Sequence, residues 1–211
     1  MRSVVGNKIE EINGEKFHEL IDNYTRVEID LGTGDGRFVY KNALSRKDTF
    51  FIGLDPAEKQ LEIYSKKAVK EKVANLIYVT ASFEILPNEL KETADKVYVN
   101  LPWGTLLENI VKTTENGLNK FLKLLKEKGT LEIILGYARE LEPSETKRLN
   151  LPPINLGLIN DVIVPSFEEQ GFHAEEFYEM NKVQLTDVET TWAKKLRFGR
   201  DRRIYKIVFS K

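Results

Sequence analysis

The sequence predicts an α/β fold: a mostly parallel seven-stranded sheet, helices on both faces and an antiparallel strand at the C-terminal edge. Two patterns predict it. Short apolar runs end in Gly, Asp, Ser or Pro, and charged segments with helical periodicity lie between them. Strands alternating with helices imply parallel pairing and a sheet covered on both sides. The 211 residues, 41% of them hydrophobic, are enough for the core of a single domain.

The strands read in order as "RVEIDLG" (Arg26–Gly32), "FFIGLDP" (Phe50–Pro56), "LIYVTAS" (Leu76–Ser82), "KVYVNLP" (Lys96–Pro102) and "TLEIILGY" (Thr130–Tyr137). Helices are expected over Ala57–Val73 and Glu115–Gly129. The second has Leu118, Phe121, Leu122 and Leu125 at 3–4 spacing, with Gly129 as its stop. "INDVIVPSFEEQGF" reads as partly helical. "HAEEFYEM" and "RIYKIVFS" read as strands able to pair antiparallel at the sheet edge. Two segments, 138–160 and 182–203, break this rhythm. Long connections in a compact domain are usually functional or disordered.

Composition narrows the classes. There is no cysteine, which excludes a disulfide framework and a thiolate metal site and suits a cytoplasmic protein. No apolar run is long enough to span a bilayer, and the N-terminus has no signal-like apolar core. His18 and His173 lie far apart, so no metal site is expected. Net charge is −1, but it is segregated: Trp192 to Lys206 holds seven basic residues and one acid. Such a run is either a solvated loop or a positive face for a polyanion.

Two motifs carry chemistry. In "DLGTGDG" (Asp30 to Gly36) glycines follow a buried strand and precede a helical segment, so the backbone can turn tightly and approach a ligand. Asp55 ends the next strand, where a carboxylate can accept from both hydroxyls of a ribose. Asp35 in the turn disfavours a phosphate and suits a cationic group. The second motif, "NLPWG" (Asn100 to Gly104), lies at the end of the fourth strand, where open α/β sheets form their crevice. Trp103 there is either a flat wall for a base or a residue packed under the strand's end. Trp192, in "TTWAKKLRFGRDRR", sits among Thr and Lys. Folded over the same crevice, the two indoles would sandwich one extruded base, with Lys194, Lys195, Arg197, Arg200, Arg202 and Arg203 on phosphates. Lys66, Lys67, Lys70 and Lys72 form either a second patch or an ordinary exposed helix face.

The stretch Arg26 to about Tyr137 resembles the class I (Rossmann-like) S-adenosylmethionine-dependent methyltransferases. The resemblance implies that Asp30 lies near the methionine amino group, Asp55 holds the ribose, and Ser82, Phe83 and Glu84 meet the adenine. The motifs "IDLGTGDGR", "FFIGLDP", "LPWGTLLE" and "TTWAKKLRFGRDR", in this order, are similar to the aminoglycoside-resistance 16S rRNA methyltransferases that modify N1 of adenine 1408. That similarity covers nearly the whole chain. It implies S-adenosylmethionine as cofactor and S-adenosylhomocysteine as product. It implies cofactor contacts at Asp30, Gly32, Gly34, Asp55, Ser82, Phe83, Glu84, Asn100, Leu101, Pro102, Trp103, Thr105, Thr190 and Trp192, and base stacking by Trp103 and Trp192. It also implies RNA contacts through the basic helix and both long linkers, including Lys147 or Arg148, and an N-terminal β-hairpin extension over 1–24. The implied partner is 16S rRNA in the assembled 30S subunit, met by a monomer with no membrane attachment.

"NLPW" also approximates the [DN]-P-P-[YFW] motif of enzymes that methylate exocyclic amines, but Leu101 stands where that motif has a proline. Phe83 is bulky where a small residue is expected. The alternatives to adenine N1 are another RNA base, such as guanine N7 of tRNA, and an RNA-binding homologue without activity. Adenine N1 carries an in-plane lone pair, so its methylation needs no base, and catalysis would rest on positioning.

Overall fold

A computed structural model describes residues 1–181, 183–186 and 188–211. The chain opens with strands β1 (Arg2–Val5) and β2 (Lys8–Glu11), paired antiparallel around Gly6. The expected hairpin is therefore present, but it ends well before residue 24. Helix α1 (Gly14–Ile21) follows, capped by Asn13, whose side chain accepts from Lys16 N.

The central strands are β3 (Arg26–Leu31), β4 (Thr49–Asp55), β5 (Leu76–Thr80), β6 (Ala94–Asn100) and β7 (Leu125–Leu135), followed by β8 (His173–Met180) and β9 (Ile204–Ser210). Their order is β2-β1-β5-β4-β3-β6-β7-β9-β8. β3 to β7 pair in parallel; β9 runs antiparallel to both β7 and β8. The seven expected strands are all present. The sheet has nine because β1 joins β5 through Ser3 opposite Val79, so the hairpin extends the sheet.

Helices α2 (Arg37–Ser45) and α3 (Glu58–Lys70) cover one face. Their buried residues Phe38, Val39, Leu61 and Tyr64 pack on Phe51 and Tyr78. The other face carries α1, α4 (Gly104–Val111) and α5 (Glu115–Leu124). The stacked rings of Phe167 and Phe209, 4.4 Å apart, close that core at its far edge.

Three expectations change. Helix α5 stops at Leu124, not at Gly129. Leu125 already pairs with Ala94 as the start of β7, and Lys128 takes a left-handed φ of 64°. Gly129 serves close approach instead, since a Cβ there would lie 2.9 Å from Lys126 O and 3.0 Å from Ala94 O. Segment 138–160 is not a plain linker. It contains α6 (Pro143–Leu149), with proline in its first turn, and α7 (Leu156–Leu158) leading into a π-turn and α8 (Val164–Glu169). Segment 182–203 begins at Lys182 and includes Asp187, both outside the described residues. Its described part holds a 3-10 turn and helix α9 (Thr191–Phe198).

Candidate active site

The carboxyl ends of β3, β4, β5 and β6 open onto a cleft of about 680 Å³. That is the size of pocket that buries most of a nucleoside-sized ligand. The Gly-rich turn forms its floor. Gly34 and Gly36 have φ of 61° and 79°, conformations that L side chains rarely adopt. At Gly36 space is also decisive: a Cβ would lie 2.2 Å from the ring of Tyr78. The Tyr78 hydroxyl donates to Gly36 O at 3.1 Å, so the turn is clamped from beneath.

Asp55 holds the turn from the neighbouring strand. Its Oδ2 accepts from Gly34 N at 2.9 Å and its Oδ1 from Ala57 N at 2.8 Å. An ionised carboxylate has about four acceptor positions, so two remain for a ligand. Burial raises its pKa, against these two backbone hydrogen bonds.

Asp30 is placed differently from the other expected residues. It is buried behind the cleft, not on its lining. Oδ1 accepts from Asn100 Nδ2 at 3.0 Å, and Oδ2 is buried beside the Thr33 hydroxyl with no hydrogen bond of ordinary geometry among the described residues. Burial pushes its pKa up to about 7, opposed by the side chains of Thr33 and Asn100. A buried carboxylate oxygen without such a bond is the kind of atom a cationic ligand group would satisfy.

Gly32, Gly34, Asp55, Ser82, Phe83, Glu84, Asn100, Leu101, Pro102, Trp103, Thr105, Thr190 and Trp192 all line the cleft. Phe83 resolves the question its bulk raised. Its ring sits 4.9 Å from the buried ring of Phe121, so most of it belongs to the core. Across the mouth, a hydrogen bond from the Thr105 side chain holds the Glu84 carboxyl below its ordinary range.

The "NLPW" segment turns sharply at Leu101, which has φ of 55° and donates its N–H to Ile134 O at 2.8 Å. Proline can adopt neither that φ nor that donor role. This turn is therefore built differently from a [DN]-P-P motif. It presents Trp103, 39% exposed, at the rim.

Trp192 comes to the same rim on α9. Thr190 caps that helix, accepting from Ala193 N at 2.9 Å, a contact worth about 1 kcal/mol. Ala193 and Leu196 seat it on Leu101, Ile134 and Ile204. The indole centroids are 5.5 Å apart with planes at 77°. The two tryptophans are thus brought together as expected, but edge to face and not as a sandwich. Parting them costs about 0.5–1.5 kcal/mol. Stacking a base is worth about 1–3 kcal/mol, of the same order or larger.

The expected cations divide. Lys194, Lys195, Arg200 and Arg203 are exposed and Arg197 is half-exposed around α9. Lys195 lines the cleft, 5.7 Å from the Trp192 ring. On α3, Lys66 pairs with Glu62 at 2.7 Å, Lys67 lies over the Tyr64 ring and Lys70 is exposed. Arg148 pairs with Glu145, which also accepts from Gly104 N beside Trp103. Arg202 departs from the group. Its side chain is only 9% exposed and donates to Glu142 at 2.7 Å and Gly136 O at 2.9 Å, so it braces the chain after β7 in place of facing outward. Reading the sequence missed Arg37, Glu189 and Thr191, which join the two sides of the cleft. No local pattern marks contacts between residues more than 150 positions apart.

The strand order, the glycine turn at the end of β3 and the acid ending β4 define a class I methyltransferase. Comparisons with known proteins make the assignment particular. Residues 2–210 match the family model described as 16S rRNA (adenine(1408)-N(1))-methyltransferase. A protein of that name from Escherichia coli is 33% identical over 96% of this chain and 94% of its own. Two crystal structures are similar over nearly their full length. The 30S ribosomal A1408 methyltransferase from an uncultured bacterium is 41% identical, covers 100% of both chains and has a TM-score of 0.79. The aminoglycoside resistance methyltransferase NpmB1 is 33% identical, with 99% and 98% coverage and a TM-score of 0.84. The chain belongs to the 16S rRNA (adenine(1408)-N(1))-methyltransferase family and is an RNA methyltransferase.

Proposed function

We propose that the protein methylates N1 of adenine 1408 in 16S rRNA, within the assembled 30S subunit, with S-adenosylmethionine as donor. It would act as a cytoplasmic monomer, and the modified decoding site would bind aminoglycosides poorly. The observation that carries this reading is the meeting of Trp103 and Trp192 on the rim of a cleft whose floor is the Gly-rich turn.

The cofactor supplies an electrophilic methyl group on a sulfonium. The residues of this chain bind and orient. Asp55 has acceptor positions free for ribose hydroxyls, and the buried Asp30 carboxylate suits an amino group. Ser82, Phe83 and Glu84 frame the adenine end. Trp103 and Trp192 part to admit the target base, then hold its plane so that N1 faces the methyl group. The N1 lone pair is free at neutral pH, so no residue must take a proton. Fixing the two reactants in line supplies the rate enhancement. Lys194, Lys195, Arg197, Arg200, Arg203 and Arg148, with the α3 lysines, are proposed to hold the RNA backbone.

Primer extension on 16S rRNA from cells expressing the protein tests this, because a methyl on N1 blocks the Watson–Crick edge. A single new stop at adenine 1408 is expected. Label from radioactive cofactor entering tRNA and not 30S subunits would overturn the reading.

A further inference from the structure

Two contacts fasten the segment carrying Trp192 to the Gly-rich turn. Asp35 follows Gly34 in that turn and lines the cleft. Its Oδ2 accepts from Thr191 Oγ1 at 2.6 Å, and its Oδ1 from Arg37 N at 3.2 Å. Arg37, in the first turn of α2, reaches both ways: Nη1 donates to the Tyr64 hydroxyl at 2.7 Å and Nη2 to Glu189 Oε2 at 2.9 Å. Glu189 and Thr191 flank Thr190, the cap of α9, and Trp192 is the next residue. The Arg37 side chain is 17% exposed and that of Glu189 42%, so the pair is shielded at its arginine end and open to solvent at the other. The same turn is held at Gly34 N by Asp55. A path of two hydrogen bonds joined by the main chain of Gly34 and Asp35 therefore runs from the carboxylate expected at the ribose to the helix presenting the second indole.

We infer that Asp35 and Arg37 are positioning residues for Trp192. They set where the indole stands relative to the cofactor turn, and so where a base between the tryptophans meets the methyl donor. The kinetic consequence rests on the proposed methyltransferase reading; the geometric one does not. A generic packing role would lower thermal stability alone. A positioning role also changes the surroundings of Trp192 and the turnover of bound substrate, since small displacements of reacting groups carry large rate penalties.

The chain has two tryptophans, so Trp103→Phe leaves Trp192 as the sole indole reporter. In that background, Arg37→Ala and Thr191→Val should each increase acrylamide quenching of Trp192 fluorescence while the protein stays folded. With Trp103 intact, Arg37→Ala should lower kcat on 30S subunits by about tenfold or more, with cofactor affinity by calorimetry near wild type. The charge swap Arg37→Glu with Glu189→Arg should recover both readouts in part. Unchanged quenching and kcat with only a lower Tm would overturn the inference, as would a swap that restores nothing. If the wild type does not methylate 30S subunits but Arg37→Ala still alters quenching, the positioning role stands and the proposed substrate falls.

Discussion

The two sides of the cleft are built by different means. The floor consists of strand ends and a glycine turn tied to one another by backbone hydrogen bonds, from Gly32 N and Thr33 N to Leu54 O and from Gly36 N to Thr33 O, with the Asp55 and Tyr78 side chains adding bonds to Gly34 N and Gly36 O. The rim holding Trp192 is a short helix set on the sheet by two buried residues, one cap and side-chain bonds to distant partners. A floor made of main chain holds its shape without a ligand. At the rim, parting the two indoles alone costs about 0.5–1.5 kcal/mol, against about 1–3 kcal/mol for stacking a base.

The comparison breaks first at the tryptophans. Trp103→Ala and Trp192→Ala are each expected to reduce methylation of 30S subunits at least about a hundredfold, since a base held by one wall is free to tilt out of line. Cofactor affinity should stay mostly intact in Trp103→Ala. Radiolabel transfer and calorimetry check the two halves of this statement. Wild-type turnover in either variant would mean that the edge-to-face pair never opens around a base.

The floor was largely legible in the sequence, and the reason is physical. "DLGTGDG" and the acid after "FFIGL" are local signals, because glycine φ and strand-end carboxylates act within a few residues of one another. The parallel strands showed as apolar runs because burial on both faces leaves no room for polar alternation. The rim was legible only in its composition. Helix α9 buries just Ala193 and Leu196, too few for a periodic signal, though Thr190 ahead of it is a recognisable cap. The edge-to-face geometry, the inward turn of Arg202 and the Arg37–Glu189 bond depend on tertiary placement, which no short motif encodes.

A middle-sized effect tests the floor. Burial pushes the Asp30 carboxyl up to about 7, whereas in an unfolded chain it ionises near pH 4. The raised value means that this group favours the folded state fully below pH 4. That contribution is lost as pH rises through about 7. Ligand binding runs the other way, because only the ionised form attracts a cationic amino group. Cofactor affinity is expected to strengthen about tenfold between pH 6 and pH 8, following the ionised fraction. Asp30→Asn should flatten that dependence. Calorimetric titrations across the range measure it, and a pH-independent wild type would place the carboxyl away from the cofactor's charge.

The smallest effect separates two neighbouring arginines and sharpens the comparison on the rim itself. Arg200 is exposed, and Arg202 is locked to Glu142 and Gly136 O. Replacing Arg200 with Gln should weaken 30S binding a few-fold and lower the slope of log affinity against log salt by about one, the share of a single phosphate contact. Its Tm should not change. Replacing Arg202 with Gln strands a buried carboxylate, so its main effect should be on folding. A fully stranded buried charge costs about 3–5 kcal/mol, and less is expected here because Glu142 keeps its bond from Ala138 N. Its salt slope should match the wild type once the protein is folded. Equal loss of slope from both would mean that Arg202 swings out to RNA on docking, and that the rim rearranges further than the parting of two indoles.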